Sequence, residues 1–144
     1  MNAEETLKQV PLFKDLKPKQ VKSLARWTTT RQYDAGQPIV REGQTGMGLY
    51  CIQSGKVQVT QQTASGPKDL RMMGPGESFG ELSLLEDQPR SATITALEPT
   101  TCVLLDKMQF NAELNSYPEI ALPLLHTLAG WLQDAEKRSR AATG

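Results

Sequence analysis

The chain is poor in the residues that most chemistry depends on. It has one histidine, His126, among 144 residues, and two cysteines, Cys51 and Cys102. His126 has no serine, cysteine or aspartate arrangement around it that would make a catalytic triad. The cysteines sit in apolar runs, Leu49-Tyr50-Cys51-Ile52 and Thr101-Cys102-Val103-Leu104-Leu105, with no Cys-x-x-Cys spacing. That excludes a zinc site and points to two buried, reduced thiols. Charge of one sign is lacking too. Lys and Arg number 16, as do Asp and Glu, for a formal net charge of zero. Bulk affinity for nucleic acid needs accumulated positive charge, so direct DNA binding is not expected of these residues. No apolar run approaches the ~20 residues of a membrane span. The first ten residues, MNAEETLKQV, are polar and acidic, unlike a secretory leader. A reducing cytoplasm is the expected location.

What is present is an ordinary globular composition, 38% hydrophobic and 22% charged. It suits one domain over residues 1–144 with a single polypeptide's worth of core. Three zones follow along the chain. Residues 1–28 read as helical, with Leu7 and Val10 on one face, an interruption at Pro11-Leu12-Phe13, and a second helix after Pro18 carrying Val21, Leu24 and Ala25. Residues 29–106 alternate short β-prone runs with glycines at positions 36, 43, 46, 48, 55, 66, 74 and 76. That punctuation predicts an antiparallel barrel or sandwich. Within it, Gln53-Ser54-Gly55 reads as the turn of a hairpin between 49–52 and 56–60, and 61–68 as an exposed hairpin tip. Residues 107–140 return to helix. Phe110 and Leu114 share one face of a short helix ending near Tyr117-Pro118, and Leu124, Leu128, Leu132 and Ala135 recur at helical spacing. The tail from Glu136 onward is expected to fray.

One stretch breaks the β pattern. Gly80 precedes Glu81–Glu86, a good helix former little more than a turn long, and Pro89-Arg90 follows. A glycine permits close approach of a ligand, and the first amides of a short helix favour an anion. An arginine beside them adds a fixed charge and a planar fork of donors. Glu81 repels a phosphate but suits a ribose hydroxyl. The pair describes a nucleotide whose phosphate carries one negative charge. Other readings stay open. Glu81 and Arg90 could form a structural ion pair, Ser91 could be a plain exposed strand residue, and the Leu124/Leu128/Trp131/Leu132 stripe could be core or a dimer seam. Glu77, Glu81, Glu86 and Asp87 could serve acid–base work or a metal, but neither use explains Arg90. No catalytic residue and no metal ligand is therefore expected, and the chain reads as a sensor, not an enzyme.

Phe79-Gly80-Glu81-Leu82-Ser83-Leu84 and Pro89-Arg90-Ser91-Ala92-Thr93 resemble the phosphate-binding cassette of cyclic-nucleotide-binding domains at every fixed position. The family includes the sensory domains of catabolite-activator-like proteins, protein-kinase-A-like regulatory subunits and cyclic-nucleotide-gated channels. The resemblance extends to Met73-Gly74-Pro75-Gly76-Glu77-Ser78, to 49–57 and to Pro11–Leu16. It implies a mainly β fold: an eight-stranded antiparallel, jelly-roll-like β-roll with N-terminal helices and C-terminal hinge and lid helices. The cassette would span 79–93. Phe79, Gly80, Glu81, Leu82, Ser83, Pro89, Arg90, Ser91 and Ala92 would make the ligand site, with the amides of Gly80, Leu82 and Ala92 and the Arg90 side chain on the cyclic phosphate and Glu81 on the ribose 2′-OH. The ligand would be cyclic AMP in preference to cyclic GMP, Ser91 being compatible with either. No other cofactor is implied. Phe110 and Leu114 are the hinge candidates, and Leu128, Trp131 and Leu132 the cap candidates. The partner would be an effector protein or attached domain, or a second copy of the chain through the last helix. The alternatives are the sensory half of a transcription regulator, or the same fold with a non-nucleotide ligand or a dimerisation role.

Overall fold

Glycine and proline cut the middle of the chain into eight strands. These are β1 (Thr29–Tyr33), β2 (Pro38–Val40), β3 (Gly48–Ser54), β4 (Val57–Thr63), β5 (Gly66–Met73), β6 (Ser78–Phe79), β7 (Thr93–Ala96) and β8 (Thr100–Asp106). The computed structural model describes residues 2–143. The strands form two four-stranded antiparallel sheets, ordered β1-β8-β3-β6 and β2-β7-β4-β5. The β-roll implied by the resemblance is the observed architecture.

The alternation of residue types explains the two sheets' different surroundings. In β4 and β7 only every second residue is buried: Val57 and Val59, Ile94 and Ala96. Such strands face a core on one side and water on the other. In β3 five consecutive residues, Gly48 to Ile52, are buried, and in β8 four, Cys102 to Leu105, are. These runs lie between two cores. Tyr50, Ile52, Cys102 and Leu104 face the inside of the roll with Val57, Val59, Phe79 and Ile94. Leu49, Cys51, Val103 and Leu105 face a second core made with the helices.

Those helices are α1 (Ala3–Lys8), α2 (Pro18–Ala25), α3 (Lys107–Ser116) and α4 (Ala121–Thr143), with 3-10 turns at Pro11–Phe13 and Pro118–Ile120. Asn2 caps α1 by accepting the Glu5 amide at 2.8 Å, and Asp106 caps α3 by accepting the Met108 amide at 2.7 Å. Leu7, Val10, Leu12, Phe13, Val21, Leu24, Phe110 and Ile120 fill the helical core. The Phe13 and Phe110 rings lie 6.5 Å apart at 25°.

Three expectations are corrected. The runs 49–52 and 56–60 are not a hairpin: β3 and β4 belong to different sheets. Gly55, at φ +98°, lies so close to β8 that a Cβ there would stand 2.4 Å from Thr100 Oγ1, and the chain passes from one sheet to the other at this point. The hairpin proper is β4–β5, closed at Thr63 and Gly66, with the predicted exposed tip. Second, Glu81–Leu84 is a 3-10 turn, not an α-helix; four residues are too few for an i→i+4 ladder to gain on the tighter turn. Third, the tail does not fray after Glu136. It stays helical to Thr143, consistent with the high helix propensity of Ala141 and Ala142. No helix among the described residues is long and apolar enough to cross a membrane.

Candidate ligand-binding site

The break in the β pattern forms one wall of a cavity of about 450 Å³. Phe79, Gly80, Glu81, Leu82, Ser83, Pro89, Arg90, Ser91 and Ala92 all line it. The fold brings them together in two ways. β6 pairs with β3, setting Phe79 opposite Tyr50. The segment after the 3-10 turn is pinned by main-chain bonds to the loop before β3: the Gly43 amide donates to Arg90 O and the Arg90 amide to Gln44 O, each at 2.8 Å.

Arg90 is the centre of the arrangement. Its Nη2 donates to Gly48 O at 3.0 Å. Its guanidinium carbon lies 5.8 Å from the Tyr50 ring centre and 6.0 Å from that of Phe79. Those two rings are themselves stacked, 5.0 Å apart and 7° from parallel. The cation thus rests on an aromatic platform. Its Nε is buried and has no hydrogen-bond partner. Burial pulls the Arg90 pKa down, partly offset by Tyr50 and Glu81. Burial likewise pushes the Tyr50 phenol up, against the pull of Arg90 and Arg31. Glu81 and Arg90 form no ion pair with each other. The structural ion-pair reading therefore fails, leaving both side chains disposed toward the cavity.

Glycines set how closely the walls approach. Gly80 sits at φ +85°, and a Cβ there would stand 2.5 Å from both Arg90 Nη1 and Gly48 O. A Cβ on Gly46 would meet Ser83 Oγ at 2.4 Å and Arg90 Nε at 2.7 Å. The sequence reading missed Gly46 and Gly48 as partners of Arg90; their glycine spacing was visible, but their contact depends on a residue more than forty positions away. It also missed Val40, Val59, Leu70 and Arg71, which line the cavity from the other sheet.

The C-terminal candidates lie elsewhere. Phe110 is fully buried in the helical core, and Leu114, Leu128 and Trp131 pack partly against it. Leu132 is 61% exposed. None of these five lines the cavity. The Lys107–Asp87 ion pair links the start of α3 to the loop that follows the 3-10 turn.

Residues 30–117 match the family model described as the cyclic nucleotide-binding domain. The chain belongs to that family. The domain is 36% identical over 131 residues to the cyclic AMP receptor protein of Thermus thermophilus, a match covering 90% of the chain and 61% of that protein. It is 39% identical over 124 residues to a cGMP-dependent protein kinase of Eimeria tenella, covering 83% of the chain and 12% of the kinase. The chain thus spans under two thirds of these relatives. Among solved structures, the N-terminal domain of a transcriptional regulator from Streptomyces coelicolor superposes with a TM-score of 0.86 at 32% identity, covering 93% of this domain and 94% of that one.

Proposed function

We propose that the domain binds a cyclic nucleoside monophosphate in the cavity over Arg90, cyclic AMP in preference to cyclic GMP, and acts as a sensor without catalysis. The observation that carries this reading is the buried, unpartnered Nε of an arginine held on Tyr50, Phe79 and Gly48 O. A buried donor without an acceptor is costly, and a monoanionic phosphate set against the guanidinium would supply the acceptor. The amides of Gly80, Leu82 and Ala92 would complete the phosphate cradle, and Glu81 would accept the ribose 2′-OH. Ser91, exposed at the edge of the cavity, would meet the sugar-phosphate or the purine. The apolar residues Val40, Val59, Leu70 and Ile94 give the base a wall.

Occupancy would be passed on through α3 and α4. Phe110 and Leu114 would act as the hinge, and Leu128, Trp131 and Leu132 would supply the cap after α4 moves. Such a shift requires that the nucleotide bind the closed arrangement more tightly. Thermal unfolding with each nucleotide tests the reading. Ligand at 100 times its dissociation constant stabilises the fold by about 2.7 kcal/mol. A melting temperature unmoved by millimolar cyclic AMP and cyclic GMP would remove it.

A second reading, a dimerisation role through the last helix, is favoured by one feature. Leu122, Leu125 and Leu132 are exposed on α4 at the three- and seven-residue spacings of a helix–helix seam. We propose that two copies pair along this face, and sedimentation of the Leu125→Glu variant against the parent tests it.

A further inference from the structure

A second cavity, of about 470 Å³, opens between α2 and the turn that joins α3 to α4. Its floor holds Glu113, a glutamate only 3% exposed. Glu113 Oε1 accepts the Trp27 indole N–H at 2.8 Å. Glu113 Oε2 is buried and has no hydrogen-bond partner. Nothing in the nucleotide site touches it. Carboxylates taken from water are kept where a donor, preferably a cation, meets both oxygens. Arg26 lines the cavity too but does not bond to Oε2.

The surroundings say what kind of donor would fit. Lys17 and Arg26, both exposed, stand at the mouth, and the exposed Tyr117 ring forms an apolar wall over the buried Ile120. The floor carries one carboxylate, and the exposed lining is net positive, with Lys17, Lys19 and Arg26 against Glu119. We propose that this cavity is a second small-molecule site and that it takes a zwitterion, an α-amino acid with an apolar side chain. Its ammonium donates to Glu113 Oε2 once that carboxylate turns toward the cavity, its carboxylate faces Lys17 and Arg26, and its side chain packs on the Tyr117 ring. A neutral or purely anionic ligand would leave the buried carboxylate oxygen uncompensated. The occupant would brace the turn between α3 and α4.

The Trp27 indole gives a local report, because its N–H is bonded to the same carboxylate. The test titrates the ¹⁵N-labelled full chain with L-leucine, L-methionine and L-phenylalanine and follows the Trp27 indole resonance. At least one of the three should move it with a saturable midpoint at or below about 1 mM. Phenethylamine and 3-phenylpropionate, each carrying one charge of the pair, should bind about tenfold or more weakly than L-phenylalanine. The Glu113→Gln variant, which keeps an acceptor for Trp27, should weaken binding by a similar factor while cyclic nucleotide still shifts its melting temperature. An indole resonance unmoved by about 10 mM of all three amino acids would overturn the proposal. So would equal binding to Glu113→Gln and the parent.

Discussion

Replacing Arg90 with alanine separates a ligand-holding arginine from a structural brace. In the free domain the side chain makes one hydrogen bond, Nη2 to Gly48 O, and stacks on two rings. The hydrogen bond, donated by a charged group, contributes about 1.5–3 kcal/mol net and the stacking about 0.5–1 kcal/mol. Against these stand the desolvation of the cation and an orphaned Nε–H, the latter costing about 1–3 kcal/mol. The terms nearly cancel, so Arg90→Ala should change the stability of the free domain by under about 1 kcal/mol. Ligand binding has no such cancellation. Losing the charged partner of a desolvated phosphate costs about 2–5 kcal/mol, roughly 30-fold to several thousandfold in dissociation constant. Calorimetric titration with cyclic AMP gives the affinity, and urea unfolding without ligand gives the stability. Unchanged affinity would refute the phosphate assignment. A loss of more than about 2 kcal/mol in the free domain would show that Arg90 is chiefly a brace between the cassette and β3.

Other consequences can be checked together. Glu81→Ala should lower affinity for cyclic AMP but leave 2′-deoxy cyclic AMP almost unaffected, so that calorimetry no longer separates the two. Gly80→Ala introduces a Cβ 2.5 Å from Gly48 O at a φ of +85°; it should destabilise the domain by about 1–3 kcal/mol and abolish measurable binding, read by urea unfolding and titration. Burial pushes the Cys51 and Cys102 thiols and the Tyr33 phenol up to about 12. Their unfolded-state values are lower, so the unfolded chain loses protons first as pH rises. Stability should be full at neutral pH and fall through the interval from about 8.5 to about 12. Melting temperature measured from pH 8 upward should decline, and a Cys51→Ala variant should decline less steeply.

The cassette was legible because its chemistry is local. Gly80, Glu81 and Arg90 lie within eleven positions, and each residue type has a physical reason to be there. The alternating strands β4 and β7 were legible for the same reason, since period-two burial is written in the sequence. The β3–β4 connection misled because a glycine-containing turn between apolar runs is the common sign of a hairpin, and only contact with Thr100, forty-five residues on, shows that the chain changes sheets at Gly55. The platform under Arg90 was hidden likewise: Tyr50 and Phe79 are ordinary core aromatics until β3 and β6 pair. The continuous apolar runs of β3 and β8 signalled full burial but not that two separate cores, one helical and one inside the roll, divide their faces.

The two cysteines of the chain are both free and buried. They leave the folded surface without native thiols, so a single engineered cysteine would react alone. Ala64 and Ser65 sit at the exposed tip of the β4–β5 hairpin, away from the main-chain ties that hold Arg90. A dye attached at Ser65 and another on α4 would form a distance pair across the molecule without first removing any natural cysteine. Whether α4 swings when the cavity fills then becomes a change in energy transfer, read in solution on the otherwise unaltered domain.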